Sequence, residues 1–165
     1  MKERFVDNAL TVTVRDTEIP APQPGQLLIR VVVSGTNPKD WKLPHWYPDV
    51  VLNQGDDPAG YIEAVGEGVL GFRKGDRVAG FHQILTPHGS YAEYAIAWAH
   101  TTFHVPENIS LEEAATIPLA AFTAAASFTS LRFQVHLKSQ PRLYSLTPIY
   151  KPIWSLNTLA HKKPL

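Results

Sequence analysis

Gln26-Leu27-Leu28-Ile29-Arg30-Val31-Val32-Val33 runs directly into Ser34-Gly35-Thr36-Asn37-Pro38-Lys39-Asp40-Trp41-Lys42, and these seventeen positions decide the architecture. The first half is rich in β-branched residues, too short for a helix core and fenced by Gly25 and Gly35. It predicts a strand buried on both faces. On its N-terminal side, Leu10-Thr11-Val12-Thr13-Val14-Arg15 alternates apolar and polar residues, the period of a half-buried strand. Pro20, Pro22, Pro24 and Gly25 break that pattern. On the C-terminal side, strand-like runs recur at Gly60 to Val65, Asp76 to Gly80 and Tyr91 to Ala97. Short strands separated by turn residues predict a mainly β domain, a barrel or a sandwich, from about Leu10 to Phe103.

The pattern changes at Ser110-Leu111-Glu112-Glu113, whose Ser-x-x-Glu spacing satisfies two orphan backbone N–H groups at a helix start. Pro118 ends that helix, and a second one is expected from Leu119 to Leu131. Its Ala120, Ala121, Phe122, Ala124, Ala125, Ala126 and Phe128 leave little polar face, the composition of a helix enclosed by other elements. Without that enclosure it is expected to be poorly packed. After Arg132, Pro141, Pro148, Pro152 and Pro164 cut the chain, and neither period is sustained; a mobile, protease-sensitive tail is expected.

Composition narrows the chemistry. The 165 residues are 44% hydrophobic and 18% charged, the balance of one globular domain. Fifteen basic residues offset fifteen acidic ones, so the chain lacks the net charge that nucleic acids or anionic membranes attract. Cysteine is absent, which removes disulfides, thiolate nucleophiles and sulfur-based metal sites. No apolar run has the length of a membrane span, and Met1-Lys2-Glu3-Arg4-Phe5 has no signal-peptide character; a soluble, cytoplasmic protein is expected. All acidic residues lie at or before Glu113 and all glycines at or before Gly89, so the last third is basic and glycine-free.

Ser34 to Lys42, together with Gly55-Asp56-Asp57-Pro58-Ala59-Gly60 and Val65-Gly66-Glu67-Gly68-Val69, resembles the amino-terminal domain of medium-chain dehydrogenases/reductases. Phe72-Arg73-Lys74-Gly75-Asp76-Arg77-Val78-Ala79-Gly80, Gly89-Ser90-Tyr91-Ala92-Glu93-Tyr94 and Val105 to Ala115 follow in the family's order. Ordered blocks over most of a chain are far more specific than one glycine pattern. Within the family, the sequence is most similar to the zinc-independent quinone oxidoreductases and to the fungal enoyl reductases that act beside polyketide synthases. The resemblance implies a GroES-like, alcohol dehydrogenase-like β-barrel domain over residues 1–131, followed by a basic tail, 132–165, that does not resemble the family. It also implies an NADPH-dependent oxidoreductase that passes hydride to an enoyl, enone or quinone substrate. A polyketide synthase or a second copy of the chain is the implied partner.

In the zinc alcohol dehydrogenases a cysteine stands at the place of Asn37 and a histidine at the place of Asp56, so the resemblance implies a site without metal. It assigns Asn37 to orienting the nicotinamide and substrate, and Lys42 to polarising a carbonyl or donating a proton. Thr123 matches the family's Thr-Ala pair facing the nicotinamide. The plainer readings are an Asn capping a turn before Pro38, a solvated lysine, and a hydroxyl bonded one turn back along a helix. Asp40, Asp56 and Asp57 read as structural carboxylates, with Asp57 tying a turn to backbone N–H groups. His100 and His104, in extended chain, do not converge on a metal.

The family's Rossmann fingerprint needs glycines after Leu131, and none is present. Two function classes follow: the substrate-side domain of a zinc-free reductase, or an inactive fragment or regulatory isoform that contacts full-length partners. For the 165-residue chain alone, no turnover and very weak NADPH affinity are expected. A gene-model error, a retained intron and a genuine isoform all account for the change of character after Arg132. A co-chaperonin ring subunit is a third reading, disfavoured by the Asn37 and Asp57 blocks.

Overall fold

The β-branched run from Gln26 forms the central strand of an antiparallel sheet. A computed structural model of the chain describes residues 1–130, with side chains through Phe128. The elements are β1 (Lys2–Val6), β2 (Val12–Asp16), β3 (Gln26–Gly35), α1 (Lys39–Trp46), β4 (Asp57–Val65), β5 (Arg77–Gly80), β6 (Tyr94–Trp98), β7 (Thr102–His104), α2 (Leu111–Ala114) and α3 (Pro118–Ser130). The chain divides into two units, Met1–Phe122 and Thr123–Leu165. The first holds both sheets, α1, α2 and the start of α3; of the second, the described residues are the rest of α3. The expectations for the tail lie outside the described residues.

Five strands pair in the order β6-β3-β4-β5-β7, each antiparallel to its neighbour. The sheet curls into a half-barrel. A Cβ added to Gly80 on β5 would stand 2.5 Å from Thr102 Oγ1 on β7 and 3.4 Å from Ala97 Cβ on β6, so one residue lies against both outermost strands. Beyond it, the Phe81 N–H bonds Thr101 O at 3.0 Å, and His82 Nδ1 lies 2.6 Å from Ile96 O.

Two irregularities interrupt the β3–β4 register. Leu28 pairs with Ala64 and Ile29 with Ile62, leaving Glu63 extra on β4; Val31 pairs with Gly60 and Val33 with Ala59, leaving Val32 extra on β3. Such insertions bend a strand and increase its local twist. The core divides into two clusters. One joins Leu27, Ile29, Ile62, Val78 and Ala97; the other joins Ala59, Ala79, Val105, Leu111, Ala114 and Ala115, with Val33 and Tyr61 against it.

Burial on both faces holds for β3 only at Leu27, Leu28 and Ile29; from Arg30 onward the strand is half-buried or exposed. The half-buried reading of the Leu10 to Arg15 alternation is corrected more strongly. β2 is exposed at every residue, with Val12 and Val14 more than half exposed. It pairs with β1 alone, from Lys2↔Asp16 to Val6↔Val12, and this hairpin stands apart from the five-stranded sheet, joined to other segments by bridges at Glu3↔Ala92 and Val6↔Leu52.

The helix start at Ser110 is as its spacing predicts. Ser110 Oγ accepts the Glu113 N–H at 3.1 Å, and the Glu113 carboxylate accepts the Ser110 N–H at 2.8 Å. α3 begins with Pro118 at its first position, where the missing N–H is no loss. Its apolar composition finds no enclosure among the described residues, and it is poorly packed, as expected in that case: Ala120 and Ala121 are exposed, Phe122 is half-buried against the Phe81 ring at 5.4 Å, and Phe128 is 64% exposed. α1, β1 and β7 are additional to the expected elements.

Candidate functional site

At the end of β3 the chain turns through Thr36, Asn37 and Pro38 into α1. Asp40 makes that turn: its Oδ2 accepts the Asn37 N–H at 2.8 Å, while the Asp40 N–H returns to Asn37 O at 3.0 Å. This reach-back pins the residue that precedes Pro38, while Pro38 itself makes no side-chain cap bond to α1. The Tyr91 hydroxyl donates to the same Asp40 Oδ2 at 2.5 Å, bringing in a segment far along the chain.

A second carboxylate holds the other end of Asn37. Asn37 Nδ2 donates to Asp57 Oδ2 at 2.6 Å, and Asp57 Oδ1 accepts the Leu119 N–H at 2.7 Å. Asp57 thus ties the Asn37 turn, the start of β4 and the start of α3 together. This is the backbone-anchoring role its sequence context suggested. Behind it, Asp56 is 1% exposed and ion-paired to Lys39 Nζ at 2.6 Å. Lys39 also contacts Asp40 Oδ1 at 2.7 Å and donates to Gln54 O at 2.5 Å.

The electrostatics follow from burial. Burial pushes the Asp56 carboxyl up to about 7, with Lys39 pulling the other way. Asp57 is also raised by burial, against the bonds it accepts from Asn37 and Leu119. The Tyr91 hydroxyl is raised by burial and by its bond to Asp40, so it remains a phenol and a donor.

The outer side of this cluster is an open groove of about 520 Å³ lined by Val6, Leu10, Val12, Thr36, Asn37, Pro38, Asp40, Trp41 and Tyr91. Its apolar wall comes from the β1–β2 hairpin and from Trp41, and its polar wall from Asn37, Asp40 and Tyr91. A flat, partly polar molecule suits such a lining.

Of the residues singled out from sequence, Asn37 and Asp40 line the groove. Lys42 lies on α1 with its ammonium 5.1 Å from the centre of the Trp41 ring, behind a groove residue. Thr123 is exposed on α3, and its carbonyl accepts the Ser127 hydroxyl at 2.8 Å. His104 stacks on Phe72 and His100 on Trp98. Lys39 and Tyr91 are the residues that sequence reasoning passed over. Both stand in blocks that carry the family resemblance, and Lys39 is the basic residue between Asn37 and Asp40, but their partners come from distant segments.

A family model described as the alcohol dehydrogenase GroES-like domain matches residues 23–107. The chain is 48% identical over 128 residues to trans-enoyl reductase fsr4 of Gibberella fujikuroi, an alignment covering 77% of this chain and 38% of that protein. It is 39% identical over 122 residues to quinone oxidoreductase of Rattus norvegicus, covering 71% of this chain and 36% of the relative. Among solved structures, an alcohol dehydrogenase superfamily protein from Novosphingobium aromaticivorans superposes with a TM-score of 0.69 at 30% identity, over 79% of this chain and 42% of that one. Mycobacterial Rv1454c complexed with NADPH gives 0.65 at 30% identity, over 80% and 42%. The chain spans less than half the length of each of these proteins.

Proposed function

The chain belongs to the alcohol dehydrogenase GroES-like domain family of the medium-chain dehydrogenases/reductases, and we propose that it is the substrate-side domain of a zinc-independent, NADPH-linked reductase of enoyl, enone or quinone compounds. The observation that carries this reading is the fate of positions 37 and 56. Asn37 is bonded to Asp57, and Asp56 lies against the Lys39 ammonium, so the carboxyl at the place of a family zinc ligand already has a cation beside it. Asn37 remains on the groove wall with an amide suited to a carboxamide or a carbonyl.

The residues present fit the nicotinamide end of the cofactor. Asn37 offers a donor and an acceptor, and the Trp41, Val12 and Leu10 wall suits a planar ring. When bound, the cofactor supplies hydride to the activated double bond or carbonyl. In this proposal Asn37 orients the reacting groups and Lys42 presents a cation beside Trp41 for the oxygen that gains negative charge; for Thr123, which belongs to the second unit, a contact with the carboxamide rests on the family resemblance alone. Among the described residues, the glycines with positive φ, at 25, 68, 71 and 75, lie in turns between strands, and none opens a helix. Pyrophosphate binding is therefore not assigned to these residues.

The proposal extends to a cytoplasmic location and to a polyketide synthase or a second copy of the chain as partner. Among the described residues, no helix is long and apolar enough to cross a membrane.

The test is a titration of the 165-residue protein with a simple enone, a quinone and an enoyl thioester, followed by amide resonances. Saturable shifts centred on Asn37, Trp41 and Tyr91 support the reading. Shifts centred elsewhere, or none with all three compounds, refute it. Adding NADPH to the same samples tests the nicotinamide end separately.

A further inference from the structure

Lys39 stands outside the groove lining, yet it contacts Asp40, which is part of that lining. Its side chain is 15% exposed and reaches from the first turn of α1 to Asp40 Oδ1 at 2.7 Å, Asp56 Oδ2 at 2.6 Å and Gln54 O at 2.5 Å. Asp40 Oδ1 and Gln54 O accept hydrogen bonds from the ammonium, and Asp56 Oδ2 lies against it as an ion pair. Its contacts span two segments: Asp40 belongs to α1, whereas Gln54 and Asp56 precede β4, where Asp57 follows directly.

Asn37 is gripped from both of those segments. Asp40 holds its backbone N–H, and Asp57 holds its side-chain amide. Tyr91 adds a third segment through its bond to Asp40. Two of the carboxylates in this small volume, Asp40 and Asp56, lie directly on the Lys39 ammonium. Without that cation, buried like charges either separate or take up protons, and in both cases the two grips on Asn37 move relative to each other.

We propose that Lys39 is a positioning residue: its ammonium clamps α1 to the 54–57 segment and thereby fixes Asn37 and Tyr91 on the groove wall in the arrangement that receives the substrate. The word substrate rests on the function proposed above; the clamp itself does not. It is tested on the 165-residue protein without substrate or cofactor, so failure of one reading is distinguishable from failure of the other.

Amide hydrogen exchange and the side-chain amide resonances of Asn37 are compared in the wild type, Lys39→Met and Lys39→Arg. In Lys39→Met, exchange at Asn37 and Asp40 is expected to rise roughly tenfold or more, with the Asn37 side-chain pair displaced, while Ile29 and Ile62 stay within about twofold of the wild type. Lys39→Arg, which keeps the charge, is expected to bring the Asn37 pair part of the way back. An unchanged Asn37, or equal loss of protection throughout the sheet, overturns the proposal. If Lys39→Met does not fold, Lys39→Arg decides, because it keeps the charge and changes the shape of the head that makes the contacts. An Asn37 side-chain pair displaced from the wild type, with Ile29 and Ile62 still protected, supports the clamp, and an Asn37 pair identical to the wild type overturns it.

Discussion

Asp57 holds the Asn37 side chain with one carboxylate oxygen and the Leu119 backbone with the other, at 2.6 and 2.7 Å. Both partners are N–H donors, so the position requires two acceptors and no donor. Asp57→Asn keeps the shape but turns an N–H toward one of them. The expected loss is about 2 kcal/mol of unfolding free energy, the scale of a bond to a charged group left unmade. Chemical denaturation measures it. The Asn37 amide is expected to flip in the variant to offer its oxygen, and an NMR spectrum with an unchanged Asn37 pair would contradict this.

Gly60 sits opposite the extra residue of β3. A Cβ there would lie 2.0 Å from the Arg30 carbonyl oxygen and 3.1 Å from the Val32 nitrogen, both backbone atoms. Neither can move without breaking the strand pair. Gly60→Ala is expected to cost more than about 4 kcal/mol, beyond the usual range for a single substitution. A thermal melt within a few degrees of the wild type would be incompatible with this.

Stability is expected to depend on pH through Asp56. Its folded value is about 7 and its unfolded value 3.8, so the folded state holds this proton more tightly. The contribution is complete below about pH 4 and is lost as pH rises through about 7, a change of roughly 4 kcal/mol at most. Asp57 acts in the same direction. His82, lowered by burial, acts oppositely: its contribution is present above about pH 6.5 and is lost as pH falls through its folded value. Denaturation of His82→Gln, free of that opposing group, should show stability falling between about pH 4.5 and pH 7.5. A rise over that interval would refute the assignment.

The exposed face of β2 gives a contrast with the core. Val14, 58% exposed, is expected to tolerate threonine within about 0.5 kcal/mol, whereas Ile62→Ala, at a fully enclosed position, should cost about 2–5 kcal/mol. Similar losses for the two would restore the half-buried reading of the hairpin. Denaturation curves of both variants decide.

What could be read from the residues alone divides along physical lines. Local signals were legible: the β-branched run of β3, the Ser110 and Glu113 reciprocal cap, and the block order that carries the family. β1 was not, because Lys2-Glu3-Arg4 gives no apolar period, and its buried Glu3 is satisfied by the Thr17 hydroxyl and Asn53, far along the chain. α1 carries Pro44 inside it and lacks an apolar stripe, so neither propensity nor pattern announces it. Val12 and Val14 alternate correctly but face solvent, since alternation says that two faces differ and not what covers either. At the site, Asn37 was found from its block. Lys39 and Tyr91 were not, because each owes its place to contacts between segments that only the folded sheet brings together.

The extra residue on β3 sets the parity of everything after it. Ile29 belongs to the cluster with Ile62 and Val78, yet Val33, an even step away, packs with Ala59 and Ala79 on the other side. One uncounted position at Val32 reverses which way odd-numbered side chains face, and Gly35, whose Cβ site lies 2.3 Å from Ala115 O, inherits the reversed sense. The number of residues between Ile29 and Asn37 therefore carries information that their identities do not. Val32 is half exposed and open to many side chains. Removing it altogether would leave the first cluster intact and present the Asn37 turn to the wrong side of the sheet.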